Sequence, residues 1–205
     1  MPKKKCPACG ATDTIMILYG MPTYEAFEAS KRGELVLGGC CLSDTNPARH
    51  CKVCKQNFGG RDLFHLLEMT SFEFSVGGYF GTSHSIFING KLKNKVIRYA
   101  KTPSGMCVDL KHPRSEINRH SEVLFKEIRL TSEQWLDFIE ELTSLEVACW
   151  KDKYYDNNIC DGTQWELVIR FSHRNKISKC GSSEYPPYWN KFIKIMKKYI
   201  GENIG

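Results

Sequence analysis

The order of apolar runs along the chain predicts an α+β protein: a small zinc ribbon followed by an antiparallel sheet with two amphipathic helices packed on one face. Three observations carry that reading. Two Cys-x-x-Cys pairs, Cys6/Cys9 and Cys51/Cys54, bracket the N-terminal segment. Beyond them lie β-prone runs that alternate apolar and polar residues, at 72–76 (FEFSV) and 165–171 (WELVIRF). Two segments then repeat apolar residues at helical spacing: Trp135, Phe138, Ile139 and Leu142, and later Trp189, Phe192, Ile193, Met196 and Ile200. Strands followed by a helix, twice over, is the element order of an α+β fold.

Each element has a local reason. The run 14–19 (TIMILY) is apolar and β-prone, and Gly20-Met21-Pro22 ends it. Thr23 can cap the short helix YEAFEASKR, and Gly33 stands where a helix-terminating glycine belongs. Residues 34–37 (ELVL) read as a strand leading to Gly38-Gly39-Cys40-Cys41. After Gly59-Gly60, a hinge candidate, residues 72–76, 85–88 and 95–99 read as strands of a meander, with Gly77-Gly78 breaking the first and Asn89-Gly90 turning between the other two. The polar stretch 112–120 (HPRSEINRH) reads as a loop. Residues 123–130 form a strand that ends at Thr131, which makes a capping box with Gln134 and starts a helix over 132–143. Arg174-Asn175 turns into 176–178, and Pro186-Pro187 opens the final helix. The domain boundaries expected are 1–60 for the ribbon with its helical insertion and 61–205 for the α+β unit.

The chain of 205 residues has a hydrophobic share of 41%, enough to build a core. No apolar run reaches the length of a membrane span, and the opening MPKKKCPACG lacks the apolar stretch of a signal peptide, so a cytoplasmic protein without membrane partners is expected. In that setting ten cysteines, four of them in two pairs, point to metal and not to a disulfide framework. Each pair on a tight turn offers two thiolates about one tetrahedral edge apart. Two such knuckles complete the ligand set of one structural Zn2+, with no position left for a catalytic water. Cys9 and Cys51 are separated by 41 residues, more than in a short ribbon, so the intervening helix must loop out. Cys40, Cys41 and His50 are rival ligands, but a set drawn from them does not repeat the knuckle geometry. No role is assigned to Cys107, Cys149, Cys160 or Cys180.

The net charge of +6 comes from 29 basic and 23 acidic residues. It includes runs at Lys91, Lys93, Lys95, Arg98 and Lys101 and at Lys191, Lys194, Lys197 and Lys198, which read more readily as solvated faces than as a nucleic-acid footprint. No HExxH, nucleophile elbow or phosphate loop occurs. Cys149, Cys160 or Cys180 with His173 would need the fold to assemble a thiol catalyst. Asp161 and Trp165, with Tyr185 and Trp189, can line a shared pocket; alternatively Asp161 caps a turn while Trp165 and Trp189 fill the core.

The segments CPACG, YGMPTYEAFEASKRGELVLGGCC and RHCKVCKQNF resemble a group of small bacterial zinc-ribbon proteins. The remainder, through FSVGGYFGTSHSI, LTSEQWLDFIEEL, DGTQWELVI and GSSEYPPYW, is similar to a bacterial α+β domain, departing from it at Ser182-Ser183, where Ser-Asn is more usual. The resemblance implies a bacterial, cytosolic origin and the zinc ligands Cys6, Cys9, Cys51 and Cys54, and it carries no activity. The expected function is therefore a noncatalytic module that binds another macromolecule, a protein before a nucleic acid. The alternative is an enzyme whose pocket lies in the C-terminal domain.

Overall fold

The first apolar run forms β1 (Thr14–Leu18), and Thr23 then caps α1 (Tyr24–Lys31) by accepting a hydrogen bond from the Ala26 N–H. The computed structural model describes residues 4–60, 63–78, 81–103, 108–159, 161–172 and 175–204. Helix α1 buries none of its side chains, so its stability comes from its caps and its seat beside the next strand. At its end Gly33 takes φ +71°. β2 (Leu35–Leu37) pairs with β1 in parallel, because a helix between two strands returns the chain in the same direction. β3 (Arg49–Cys51) and β4 (Asn57–Phe58), not anticipated from the sequence, flank the second cysteine pair and complete a four-stranded sheet of order β2-β1-β3-β4.

A short helix, α2 (Leu63–Leu67), leads into the second sheet, whose strands are β5 (Met69–Gly77), β6 (Thr82–Asn89), β7 (Val96–Pro103), β8 (Leu124–Arg129), β9 (Lys153–Tyr155), β10 (Gln164–Phe171) and β11 (Lys176–Ser182). Their order is β8-β7-β6-β5-β10-β11-β9. The first four make the expected antiparallel meander, and β5 is longer than 72–76 at both ends. The sheet is mixed, not purely antiparallel: β9 lies parallel to β11. It precedes the β10–β11 hairpin and joins its outer edge, so the connection from Tyr155 to Gln164 must pass the C-terminal end of β11. The stretch read as a loop at 112–120 contains a 3-10 turn (Glu116–Arg119). There the side chain of buried Asn118 accepts from the Asp109 N–H and donates to the Asp109 and His112 carbonyls. A polar stretch without periodicity can still be ordered by one amide that substitutes for missing backbone partners.

Two longer helices cover one face of the large sheet. α3 (Ser132–Ser144) starts at the Thr131/Gln134 capping box and buries Trp135, Phe138, Ile139 and Leu142. α4 (Trp189–Ile200) follows Pro186-Pro187, which lie in the preceding turn and not in the helix, and buries Phe192, Ile193, Met196, Tyr199 and Ile200. These residues share one core with the inward residues of the central strands, among them Phe72, Phe74, Ile86, Ile97, Leu167 and Ile169. Phe138 meets Phe72 edge-on at 5.7 Å and Tyr199 at 5.2 Å, and Phe192 meets Phe74 at 4.8 Å. Four helices are thus formed among the described residues, two of them short, and the pair foreseen from periodicity is the pair that carries the core.

The opposite face is only partly covered. Phe87, Ala100 and Leu110 form a small cluster backed by Val108, Val123 and Phe125 at its β7–β8 end. Toward β9 the face stays open. No helix among the described residues is long and apolar enough to cross a membrane.

Candidate metal centre

Cys6, Cys9, Cys51 and Cys54 come together, every sulfur within 4.8 Å of the others. Their spacing follows from two turns built alike. In the first, the Gly10 N–H donates to the Cys6 carbonyl at 2.8 Å and the Cys6 N–H to the Ala11 carbonyl at 2.9 Å. In the second, the Lys55 N–H donates to the Cys51 carbonyl at 2.9 Å and the Cys51 N–H to the Gln56 carbonyl at 2.9 Å. Both turns need a left-handed residue after the second cysteine, supplied by Gly10 at φ +76° and by Lys55 at φ +63°. The lysine accepts the backbone strain that the glycine avoids. β1 and β3 hold the turns in register, with Thr14 opposite Cys51.

The sulfur pairs Cys6–Cys54 and Cys9–Cys51 stand at 3.6 and 3.7 Å. A disulfide would require about 2.05 Å. A tetrahedral metal with bonds of about 2.3 Å to thiolate has edges of about 3.8 Å, which these distances match. With only protons to share, the thiols divide unequally. Burial pushes Cys6 up to about 12 against the N–H groups of Cys9 and Ala8, and burial also raises Cys9. At Cys51 burial acts in the same direction but is outweighed by the N–H groups of Cys54 and Val53 and by the neighbouring thiols, which bring it down to about 7. Four soft donors, with Cys6 and Cys51 buried and with burial opposing ionisation at Cys6 and Cys9, fit a divalent cation that compensates their charge. The four cysteines are therefore placed to bind a metal ion.

The turns are braced from the C-terminal half, by residues the sequence reading did not single out for this role. The Tyr154 hydroxyl donates to the Ala8 carbonyl at 3.1 Å and accepts from the Lys151 N–H at 2.9 Å. The Tyr188 hydroxyl donates to the Lys5 carbonyl at 3.0 Å. Pro187 sits so close to Gly10 that a Cβ there would meet its ring at 3.4 Å. Glu146 adopts φ +50°, and its carboxylate accepts from the Gly59 N–H at 2.8 Å and pairs with Lys4. Cys149 packs against the cluster formed by Cys6, Ala8, Cys51 and Phe58. The large rings Trp150 and Tyr154 beside a short strand are the sequence signal that could have marked this segment as buried.

Tyr154→Phe removes one hydroxyl that serves two backbone groups, at a cost of about 1–2 kcal/mol. We expect the variant to release its metal to a chelator several-fold faster than the parent, with unchanged metal content before challenge. Equal release rates would show that the tyrosine contributes nothing to the turn.

The rival ligands lie elsewhere. Cys40 and Cys41 are exposed, and the His50 Nδ1 bonds the Asn57 Oδ1 at 2.7 Å. Of the residues read as a pocket, three rings meet: Trp165 and Trp189 at 4.9 Å, and Tyr185 and Trp189 at 4.9 Å. Trp165 is buried among Trp150, Tyr154 and Trp189, with its Nε1 donating to the Glu184 carbonyl at 2.9 Å. Asp161 is exposed on the loop before β10 and joins none of these ring contacts. Cys180 lies near the Tyr155 hydroxyl at 3.6 Å. Cys107, Cys160 and His173 fall outside the described residues, as do Arg174 and the middle of the glycine-rich turn after β5. Comparison with known proteins finds no family model and no curated protein that matches the chain.

Proposed function

We propose that residues 1–60 form a zinc ribbon holding one structural Zn2+ on Cys6, Cys9, Cys51 and Cys54. The ribbon's apolar surface then docks a protein partner, which makes the chain a noncatalytic interaction module. The metal supplies a cross-link between the two turns, and the residues around it hold the turns in place. The chemistry of four thiolates without a carboxylate or imidazole supports zinc over harder cations.

The observation that carries the docking reading is the distribution of exposed apolar side chains. Of the fourteen large hydrophobic residues exposed among the described residues, seven lie between Met16 and Val53. Met21 is 95% exposed and Tyr24 76%, values that leave these side chains almost wholly in water. The register of β1 on β2 sets Met16 opposite Leu35 and Leu18 opposite Leu37, so four apolar side chains share one sheet face that ends at an unpaired edge strand. Such a surface gains by burial against another protein and offers little to a phosphate backbone.

The test is a Met16→Asp/Leu18→Asp double variant, in which both changes fall on the exposed face and away from the cysteines. Its metal content and melting temperature should match those of the parent, while a partner captured by the parent from a bacterial lysate should be lost. Capture that survives the double change would sink the reading. Association with mixed DNA and RNA that weakens steeply as salt rises would favour the nucleic-acid alternative. Concentration-dependent self-association abolished by the variant would identify the partner as a second copy.

A further inference from the structure

The open face of the large sheet carries a trough of about 1160 Å3 at its β5–β10–β11–β9 end, separate from the metal turns. Strand register lays out its floor in two rows. Ser75, Glu166 and Cys180 stand opposite one another on adjacent strands, and so do Gly77, Gln164, Ser182 and Tyr155. The second row crosses four strands, about 14 Å at ordinary strand spacing. One wall runs from the end of β9 into the segment that follows, where Tyr155 is 49% and Ile159 46% exposed, so each presents an apolar flank to the trough.

The floor carries hydrogen-bonding groups that no neighbour among the described residues uses. Elsewhere on this face three pairs are formed: Glu73 pairs with Lys111 at 3.0 Å and with Arg170 at 3.3 Å, and Arg98 on β7 pairs with Glu127 on β8 at 2.9 Å. In the trough, the side chains of Ser75, Ser83, Gln164, Glu166 and Ser182 make no hydrogen bond or ion pair among the described residues. Two hydroxyl-bearing rows, one amide and one carboxylate therefore face a common space with donors and acceptors both free.

Charge selects among ligand classes. None of the described lining residues is Lys, Arg or His, and Lys153, opposite Cys180 on the edge strand, lies outside the lining. A phosphate or nucleotide finds no counter-charge there. A polycation meets Glu166 and Asp156 but must approach a protein of net charge +6. A neutral, hydroxyl-rich ligand suits every feature: its hydroxyls match the mixed donors and acceptors, and its C–H faces match Tyr155 and Ile159. We infer that this trough binds a neutral saccharide, extended across the strands as an oligosaccharide and held through Gln164 and Glu166.

The experiment uses the full-length, metal-loaded chain. Hexasaccharides of β-1,4-glucose, β-1,4-N-acetylglucosamine, α-1,4-glucose and β-1,4-xylose serve as probes at about 10 mM, where a site with Kd about 1 mM is largely filled. Saturation-transfer NMR and the fluorescence of the Trp165 cluster behind the floor report binding. We expect at least one probe to bind, and Glu166→Gln and Gln164→Ala each to weaken it about tenfold or more, as loss of a hydrogen bond to a sugar hydroxyl requires. Both changes are on exposed side chains, so circular dichroism and melting temperature should stay at the parent values. A Met16→Asp/Leu18→Asp variant should bind the saccharide normally, which separates this site from the ribbon surface. The inference is overturned if no probe binds, if binding survives the Glu166→Gln/Gln164→Ala double change, or if an oligolysine peptide binds in place of the sugars and is lost in Glu166→Gln.

Discussion

Serine at both Cys6 and Cys51 is expected to abolish stoichiometric metal binding and to lower the melting temperature by at least ~10 °C. Structural zinc contributes an apparent 10–16 kcal/mol or so in small modules of this kind. At this chain length each kcal/mol moves the melting temperature by roughly 2–4 °C, so loss of even ~4 kcal/mol reaches that figure. Cys6 and Cys51 are the two fully buried ligands, 0% exposed, and they sit in different turns, so the double change disables both halves of the site. The damage should spread beyond the first sixty residues. Tyr154, Tyr188 and Glu146 each bond a backbone group of the N-terminal segment, so amide exchange should quicken around 146–154 and 185–188 as well. Serine at Cys40 and Cys41, exposed and outside the cluster, should leave one zinc per chain by elemental analysis. A Cys6→Ser/Cys51→Ser protein with the parent's stability would defeat the metal reading.

Trp165→Ala should cost about 3–5 kcal/mol, the largest single-site effect expected in the C-terminal half. The ring is 3% exposed and lies against Trp150, Tyr154 and Trp189, so its removal leaves a cavity in the aromatic cluster that links β10, β9 and α4. It also strips the Glu184 carbonyl of its indole donor. Trp165→Phe keeps most of the packing and should lose less. Asp161→Ala, at an exposed position, should stay within about 0.5 kcal/mol of the parent. Urea denaturation distinguishes the cases. A Trp165→Ala variant of unchanged stability would mean that the ring serves an open pocket and not the core.

Much of the framework was legible in the chain. The Thr131/Gln134 box and the Trp135–Leu142 spacing marked α3 to within one residue at its C-terminus, because a helix start depends on a few adjacent groups. The cysteine pairs were equally readable, since a Cys-x-x-Cys turn closes locally whatever surrounds it. β3 and β4 were missed because they are three and two residues long, too short for any alternation to show. The parallel placement of β9 escaped for another reason: a strand of three residues carries no mark of which neighbour it will join.

Ser183 illustrates the same limit from the opposite side. It takes φ +55°, a left-handed position that Asn tolerates better than Ser. The residue type alone did not reveal the backbone requirement.

By itself the sequence determined the elements with strong local signals, the helix that each cap begins, the face that each periodicity buries, and the four thiols able to share one ion. Tertiary structure alone decided what those elements do to one another. It set Tyr154 and Tyr188 beneath the cysteine turns, although both lie more than a hundred residues from the carbonyls they bond. It also gathered Ser75, Gln164, Glu166 and Ser182 from three strands into one polar floor. Both arrangements depend on strand order and register, which are global choices among many pairings of nearly equal local merit, and no window of the chain contains the information that selects them.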